Sequence, residues 1–132
     1  MKTLLLTALV ATGFLVSARA DIRVVVSIRN QSAWLVDGNR ILMTSAVSTA
    51  KRGMHTPTGH FNVSEKDVSH ISTIYHVSMP FYMRLSGKPF GMHAGYLPGY
   101  PASHGCIRMP KDKAALFFRH VIVGTSVRIL PN

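Results

Sequence analysis

Three features are scarce in this 132-residue sequence: cysteine, acidic side chains and long apolar runs. Cys106 is the only cysteine, so no disulfide bond can form within the chain. Five aspartates and glutamates stand against 15 lysines and arginines. After residue 20, no apolar run is long enough to cross a membrane. There is also no internal repeat, low-complexity segment or linker, so residues 21–132 are expected to form one domain with its own core.

The first 20 residues have the pattern of a secretory signal peptide. Lys2 precedes the apolar run TLLLTALVATGFLV, and Ala18 and Ala20 occupy the small-residue positions of a cleavage site. This pattern predicts a signal peptide over residues 1–20 and a mature chain that starts at Asp21. The protein would then be exported to the periplasm or cell wall and would meet the membrane only during export. An uncleaved anchor is the alternative, but the run is shorter than the roughly 20 residues that a span needs.

The remaining chain is strongly basic. Removal of residues 1–20 takes away Lys2 and Arg19 and leaves 13 basic and 5 acidic residues, a formal charge of +8. A basic exported protein can meet anionic envelope polymers or lipid headgroups, although the charge can also serve only solubility and weak nonspecific attraction. Nucleic acid is a poor candidate partner, because the compartment is wrong and the basic residues are scattered rather than clustered.

Alternating apolar positions predict several strands. In IRVVVSIR, Ile22, Val24, Val26 and Ile28 share one face, which is the period-two pattern of a half-buried strand. AWLV and RILMTSAV flank the tripeptide DGN and predict a hairpin, because Asp-Gly favours a tight turn. HTPTGHFNVSE reads as a turn that leads into a short strand. STIYHVSMPFYMRLS predicts two further strands with a break near Pro80.

One helix is predicted late in the chain. It starts near Pro110, a residue suited to the first helical position, and the segment ends at Gly124. The final segment SVRIL alternates again and predicts a strand with Val127 and Ile129 inward. Many short strands with one late helix predict a mainly β domain, sandwich-like or barrel-like, with the helix on its flank. Apolar residues at helical spacing form the face expected to pack on the sheet: Ala114, Phe117, Phe118 and Val121.

The setting of Cys106 favours a nucleophile. An isolated cysteine is most often a small core residue, but the segment YLPGYPASHGCIR is rich in Gly, Pro and Ser and reads as a structured loop. His93 lies thirteen residues upstream. A thiol with an ordinary pKa of about 8.5 needs a histidine or a cation nearby to react as thiolate at neutral pH. Gly105 allows close backbone approach to a substrate. The chain therefore supplies a thiol, a base and a Gly-flanked amide pocket.

At these residues the sequence resembles the L,D-transpeptidase catalytic domains of the YkuD-type family. FGMHAG followed by PASHGCIRMP is similar to the family signature, a His-Gly-like element, a variable loop and Ser/Thr-His-Gly-Cys-X-Asn/Arg. TPTGHF resembles the family's Thr-Pro-X-Gly-X-Phe turn, AVSTAKRG its Val-Ser-Thr-Gly stretch, and LFFRHVIVGTSVRIL its closing helix and strand. The resemblance covers nearly all of residues 21–132. It implies a β-sandwich of mixed sheets with one or two helices.

The resemblance also implies catalytic roles. Cys106 would be the nucleophile and His93 the general base. The backbone amides of Gly105 and Cys106 would form much of an oxyanion pocket. The carbonyl of Ala94 or a neighbour would orient His93, because the family often lacks an acidic third member, and a chain with few acids suits that arrangement.

Further residues are expected to support the loop or to contact substrate. By the resemblance, Ser103 and His104 would shape the catalytic loop, and Arg108 would hold a substrate carboxylate through its planar fork. Tyr82 and Arg84, in the strand segment just before His93, are predicted to line the substrate groove, with simple strand-surface roles as the alternative.

The implied reaction is acyl transfer on the tetrapeptide stems of peptidoglycan. A thioester on Cys106 would form with release of D-alanine, and the amine of a second stem would resolve it to a 3→3 cross-link. Water in place of the amine would give an L,D-carboxypeptidase, and a lipoprotein lysine would give attachment to the wall. No cofactor is needed, and carbapenems are expected covalent inhibitors. Two features depart from the family pattern. Ala50 stands where the family commonly has glycine, so the turn there is expected to differ, and the loop between His93 and Cys106 is shorter than in many members, which bears on acceptor choice.

Two other classes of function are open to this sequence, a zinc site and a non-catalytic wall-binding module. A zinc site could use His93, His104 and Cys106, but two of these lie only two residues apart and no fourth ligand has a recognisable spacing, so no metal is predicted. A non-catalytic wall-binding module could use charge alone, but it would leave the Cys–His–Arg set without a purpose. Insensitivity to EDTA excludes the first, and thiol-dependent turnover excludes the second.

The signal-peptide assignment predicts an exported protein that begins at Asp21. The intact mass of the protein recovered from the exporting cell measures this directly. The mass should correspond to residues 21–132, and a chain that retains residues 1–20 would mean an anchor instead.

Overall fold

The computed structural model describes residues 21–132, which form eight strands and one helix. The predicted signal peptide, residues 1–20, lies outside the described residues. Within the part described, no helix has both the length and the apolar character that a membrane crossing requires. The elements are β1 (Ile22–Ser27), β2 (Ser32–Asp37), β3 (Arg40–Ala46), β4 (Gly59–Ile71), β5 (Ser78–Leu85), β6 (Gly91–Ala94), β7 (Ile107–Met109), α1 (Lys111–His120) and β8 (Ser126–Leu130).

The strands form a mixed sheet in the order β3-β2-β1-β8-β4-β5-β6-β7. The β1–β8 and β6–β7 pairs are parallel, and all other neighbouring pairs are antiparallel. The 13-residue strand β4 belongs to both halves of the sheet, because its first residues pair with β8 and its later residues pair with β5. The prediction of a mainly β domain with mixed sheets and few helices is confirmed.

One hydrophobic cluster joins side chains from both halves of the sheet. Val24 and Val26 of β1 are fully buried, and Val127 and Ile129 of β8 lie beside them in the parallel register. The alternation read from the sequence therefore identifies the inward faces of both strands. In the other half of the sheet, the cluster contains side chains of β6 and β7, among them Met92 and Ile107.

Helix α1 covers the half of the sheet that carries β5 and β6. Pro110 caps its N-terminus rather than occupying the first helical turn. Ala114 and Phe117 are fully buried, as the helical spacing predicts, and the Phe118 ring meets Phe81 of β5 edge to face at 5.6 Å. Because the helix packs on β5 and β6, it supports the two strands that lead to the candidate site.

The predicted strand break near Pro80 is wrong. Strand β5 runs unbroken from Ser78 to Leu85, and Pro80 pairs with Ser69 of β4 inside it. The turn lies earlier, over residues 72–77. Proline is tolerated in a strand where a neighbour is missing, and β6 pairs with β5 only at Met83 and Arg84, so no strand lies beside Pro80 on that side.

Candidate active site

The register of β6 and β7 brings His93 and Cys106 together. Met92 pairs with Ile107, and His93 pairs with Arg108, in a parallel ladder. Met92 and Ile107 are fully buried in the core. Since successive side chains of a strand alternate between faces, His93 and Arg108 lie on the opposite face. Cys106, one residue before β7, shares that face and is a diagonal neighbour of His93.

These side chains open onto a cavity of about 550 Å³. The turn over residues 72–77 and the start of β5 form one wall, and the catalytic loop around Cys106 forms another. The lining is largely apolar and includes several polar and reactive side chains, which is the usual mixed composition of a ligand site. The polar and reactive side chains on the wall are His55, Ser78, Lys88, His93, Ser103, His104, Cys106 and Arg108.

His93 is held in one tautomer by a backbone carbonyl. Its ring is 5% exposed, and Nδ1 lies 2.7 Å from the carbonyl oxygen of Ala94. A carbonyl can only accept, so Nδ1 carries the proton and donates it. The Nε2 nitrogen is then the one that can take a proton from a neighbour. This is the contact expected of Ala94 as the orienting group.

A network of hydrogen bonds fixes the loop that carries the thiol. The buried Ser103 hydroxyl donates to the carbonyl of Cys106 at 2.5 Å and accepts from the N–H of Gly105 at 3.1 Å. Gly105 has a φ of +148°, a conformation that favours glycine, and an added Cβ would lie 3.1 Å from the carbonyl oxygen of His55. The N–H of Gly105 therefore faces Ser103, which differs from the oxyanion role predicted for that amide.

Thr56 is a loop-fixing residue that the sequence analysis missed. Its buried hydroxyl donates to the carbonyl of Gly105 at 2.8 Å and accepts from the N–H of Ala50 at 2.9 Å. Ala50 also forms an isolated bridge with Ser103. The turn motif TPTGHF was the available signal, but a hydrogen bond to a residue 49 positions away is not visible in a local pattern. Thr56 thus ties the turn before β4 to the catalytic loop.

Burial opposes charge on both members of the pair. It raises the pKa of the Cys106 thiol, against the smaller opposing effects of a hydrogen bond from the Gly91 backbone and of the Arg108 and Arg84 charges. It lowers the pKa of His93, against the opposing hydrogen bond to Ala94. Both shifts favour a neutral thiol beside a neutral imidazole at rest, rather than the thiolate that the sequence analysis expected at neutral pH.

Arg108 and His104 border the cavity in different ways. The Arg108 guanidinium lies 3.5 Å from the carbonyl oxygen of Tyr96, and its stem packs so closely on Gly95 that an added Cβ there would lie 3.1 Å from Cγ. The exposed ring of His104 stacks on Tyr75 at 4.2 Å with an angle of 13° between the planes. His104 thus connects the catalytic loop to the turn over residues 72–77.

Tyr82 and Arg84 do not line the cavity, which corrects the prediction of groove contacts. Tyr82 is 2% exposed, and its ring centroid lies 6.3 Å from that of His93. Burial raises the pKa of Tyr82 to about 12, so the phenol is protonated at any physiological pH. Arg84 is bound to Glu65 at 2.7 Å and lies over the Tyr82 ring. The alternation of β5 places both residues on one face, but there His70 stacks on the Tyr82 ring at 4.1 Å and Arg84 lies over it.

No cluster of three His, Cys, Asp or Glu side chains suited to a metal ion occurs within residues 21–132. Two of the three residues considered as zinc ligands have other contacts. His93 donates to Ala94, and His104 stacks on Tyr75. The arrangement around Cys106 is that of a thiol and an oriented base in a cleft.

The family model of the L,D-transpeptidase catalytic domain, YkuD, matches residues 21–129. The chain belongs to this family. The comparison with curated proteins gave no match.

Solved L,D-transpeptidases share the fold at low sequence identity. The enzyme from Stackebrandtia nassauensis is 22% identical, with a TM-score of 0.78 over 87% of this chain and 58% of its own. LdtMt1, solved in complex with imipenem, is 22% identical, with a TM-score of 0.78 over 84% of this chain and 59% of its own. L,D-transpeptidase 3 from Mycobacterium tuberculosis, solved with a faropenem-derived adduct, is 20% identical, with a TM-score of 0.75 over 84% and 60%. The chain therefore spans less than two thirds of the length of these structures.

The pKa shifts predict how Cys106 responds to pH. A thiol whose pKa lies above its ordinary value is protonated at neutral pH, so its alkylation by iodoacetamide should still accelerate as the pH rises past the ordinary thiol pKa of about 8.5. The measurement is the alkylation rate of this single thiol against pH, with the same chain unfolded in denaturant as the control. A rate that is already at its plateau near neutral pH would show a thiolate–imidazolium pair instead.

Proposed function

We propose that this protein is a cysteine-dependent L,D-transpeptidase that acts on the tetrapeptide stems of peptidoglycan. The observation that carries the proposal is the pairing of the chain's single thiol with a histidine of fixed tautomer, in one cavity, on a catalytic domain of this family. The basic composition suits an anionic wall polymer. The proposed acyl transfer needs no cofactor.

In the first step, Sγ of Cys106 attacks the carbonyl carbon of the third residue of a donor stem. Its proton passes to Nε2 of His93 as the S–C bond forms, and the Nδ1–H bond to Ala94 stabilises the resulting imidazolium. The imidazolium then protonates the amine of the terminal D-alanine as the C–N bond breaks. A thioester and free D-alanine are the products. The neutral resting pair suits this order, since the charges develop only during the attack.

In the second step, the side-chain amine of a diamino acid in another stem attacks the thioester carbonyl. His93 takes a proton from that amine as the new C–N bond forms, and passes it to sulfur as the C–S bond breaks, which restores the thiol of Cys106 and the neutral imidazole. The product is a 3→3 cross-link. The N–H of Cys106 is the remaining amide of the predicted oxyanion pair, because the N–H of Gly105 is bound to Ser103.

Arg108 is proposed to bind a carboxylate of the donor stem. Its guanidinium borders the same cavity as Cys106, and its stem is held against Gly95. A planar guanidinium can bind a carboxylate through two parallel hydrogen bonds, which fixes orientation as well as charge. Such a contact would hold the stem with its third carbonyl over the thiol.

The location and the inhibitors follow from the same proposal. We propose that the mature protein acts in the periplasm or cell wall, where peptidoglycan lies, and the signal-peptide pattern supports this location. Relatives have been solved with imipenem and with a faropenem-derived adduct. We propose that carbapenems likewise acylate this protein, on Cys106.

The acceptor is tested by product analysis. Tetrapeptide-bearing muropeptides are incubated with the mature protein, with and without excess acceptor amine, and the products are identified by mass spectrometry. Transfer predicts 3→3 dimers and amine-exchange products, both absent with Cys106→Ala. Accumulation of tripeptides with neither product, at every acceptor concentration, would identify an L,D-carboxypeptidase, and a product only with a lipoprotein lysine would identify wall attachment.

A further inference from the structure

The strand register arranges the side chains behind the catalytic pair in two rows across β4, β5, β6 and β7. In the first row, Glu65 pairs with Arg84, and Arg84 pairs with Gly91. Extending the β6–β7 ladder by one residue beyond the Met92–Ile107 pair places Cys106 beside Gly91. From β4 to β7, the first row therefore contains the carboxylate of Glu65, the guanidinium of Arg84, Gly91 and the thiol of Cys106.

The second row lies one alternation further along the same face. Asp67 pairs with Tyr82, and His93 pairs with Arg108. The Met83–Met92 pair, extended by one residue, sets Tyr82 opposite His93. Cys106 of the first row and His93 of the second are thus diagonal neighbours; Tyr82 is the direct neighbour of His93, and Gly91 lies between Cys106 and Arg84.

Gly91 lies between Arg84 and Cys106 in the first row and contributes no side chain there. An added Cβ at Gly91 would lie 2.2 Å from the carbonyl oxygen of Met83, so only glycine fits there. The Cα atoms of Arg84 and Cys106 are two strand spacings apart, about 10 Å, and no side chain stands between them. The Gly91 backbone also acts on the thiol and lowers its pKa.

The guanidinium of Arg84 is fixed by several contacts. Its Nε donates to a Glu65 carboxylate oxygen at 2.7 Å, and its Nη1 donates to the carbonyl of Lys88 at 3.1 Å. Its Cζ lies 5.1 Å from the centroid of the Tyr82 ring, whose plane stacks on His70 at 4.1 Å. A partly buried cation held at one position acts on its surroundings more strongly than a mobile surface charge.

We propose that Arg84 is a positioning residue that stabilises the developing thiolate of Cys106 across the side-chain gap at Gly91, with Glu65 fixing its orientation. This inference rests on the proposed role of Cys106 as nucleophile. It assigns to Arg84 an electrostatic task in place of the substrate contact predicted from the sequence.

Other charged and titratable groups face the same thiol. His93 lies on β6 and Arg108 on β7, and His104 belongs to the catalytic loop. Glu65 and Asp67 of β4 lie behind Arg84 and Tyr82 and oppose the positive charges. Arg84 and Arg108 thus provide positive charge from two sides, and a test of Arg84 must separate its own charge from that of its partner Glu65.

The test measures iodoacetamide alkylation of Cys106 from about pH 7 to about pH 10 in four variants, each checked for folding by circular dichroism. Arg84→Gln should react roughly three- to tenfold more slowly than the parent near neutral pH and approach the parent rate at high pH, since only the thiolate population changes. Arg84→Lys keeps the charge and should stay within about twofold of the parent rate. The matched control Arg119→Gln removes an exposed charge on α1 and should also stay within about twofold.

Glu65→Gln separates electrostatics from simple structural support. The amide oxygen of Gln can still accept from Nε of Arg84 and hold its orientation, so, if Arg84 acts through its charge, loss of the opposing negative charge should leave alkylation as fast as in the parent or faster. The Glu65 side chain is 51% exposed, so this variant should fold even if Arg84→Gln does not, and alkylation slower than in the parent would then overturn the proposal. Equal slowing in Glu65→Gln and Arg84→Gln, or a parent-like rate in folded Arg84→Gln at every pH, would overturn the proposal. Alkylation needs no peptidoglycan, so this outcome is independent of the product analysis.

Discussion

The parallel register between β6 and β7 is the constraint on which the site depends. It sets Met92 beside Ile107 in the core and thereby directs His93, Arg108 and Cys106 to the opposite face. A shift of one residue would turn His93 and Arg108 into the core and Met92 and Ile107 into the cleft. The burial of two large apolar side chains therefore fixes the geometry of a reactive pair that makes few strong contacts of its own.

Backbone hydrogen bonds supply the precision that charged groups supply in many other sites. Ala94 orients the histidine, Ser103 closes the catalytic loop on itself, and Thr56 ties that loop to the turn before β4. Each of these groups is buried, and removal of one partner leaves the other unsatisfied at a cost of about 1–3 kcal/mol. Burial favours a neutral thiol beside a neutral imidazole, and in the proposed mechanism these groups become charged only during the reaction. A chain with few acidic residues is consistent with such a site.

The inward faces of the strands and of the helix could be predicted from the sequence, because burial of one face requires apolar residues at the regular spacing of a strand or a helix. Val24, Val26 and Phe117 lie where periodicity placed them. The proximity of Cys106 and His93 was inferred from residue chemistry and from a family resemblance, since a separation of thirteen residues does not by itself specify a ladder.

Other features depend on contacts between distant segments and left no local signal. Pro80 lies inside β5 because β6 ends short of it. Tyr82 is buried although alternation placed it on the outer strand face, and there His70 of β4 stacks on its ring and Arg84 lies over it. The N–H of Gly105 faces Ser103 because the loop curls back within three residues, which composition does not show.

Acylation by imipenem tests the central claim, that Cys106 and His93 form the reacting pair, most directly. The rate of adduct formation is followed by intact mass, and the modified peptide is mapped, for the parent, His93→Ala and His104→Ala. A single adduct on Cys106 is expected, with the rate reduced about a hundredfold to ten-thousandfold in folded His93→Ala and largely retained in His104→Ala. Parent-like acylation of His93→Ala together with loss of acylation in folded His104→Ala, or an adduct away from Cys106, would contradict the account.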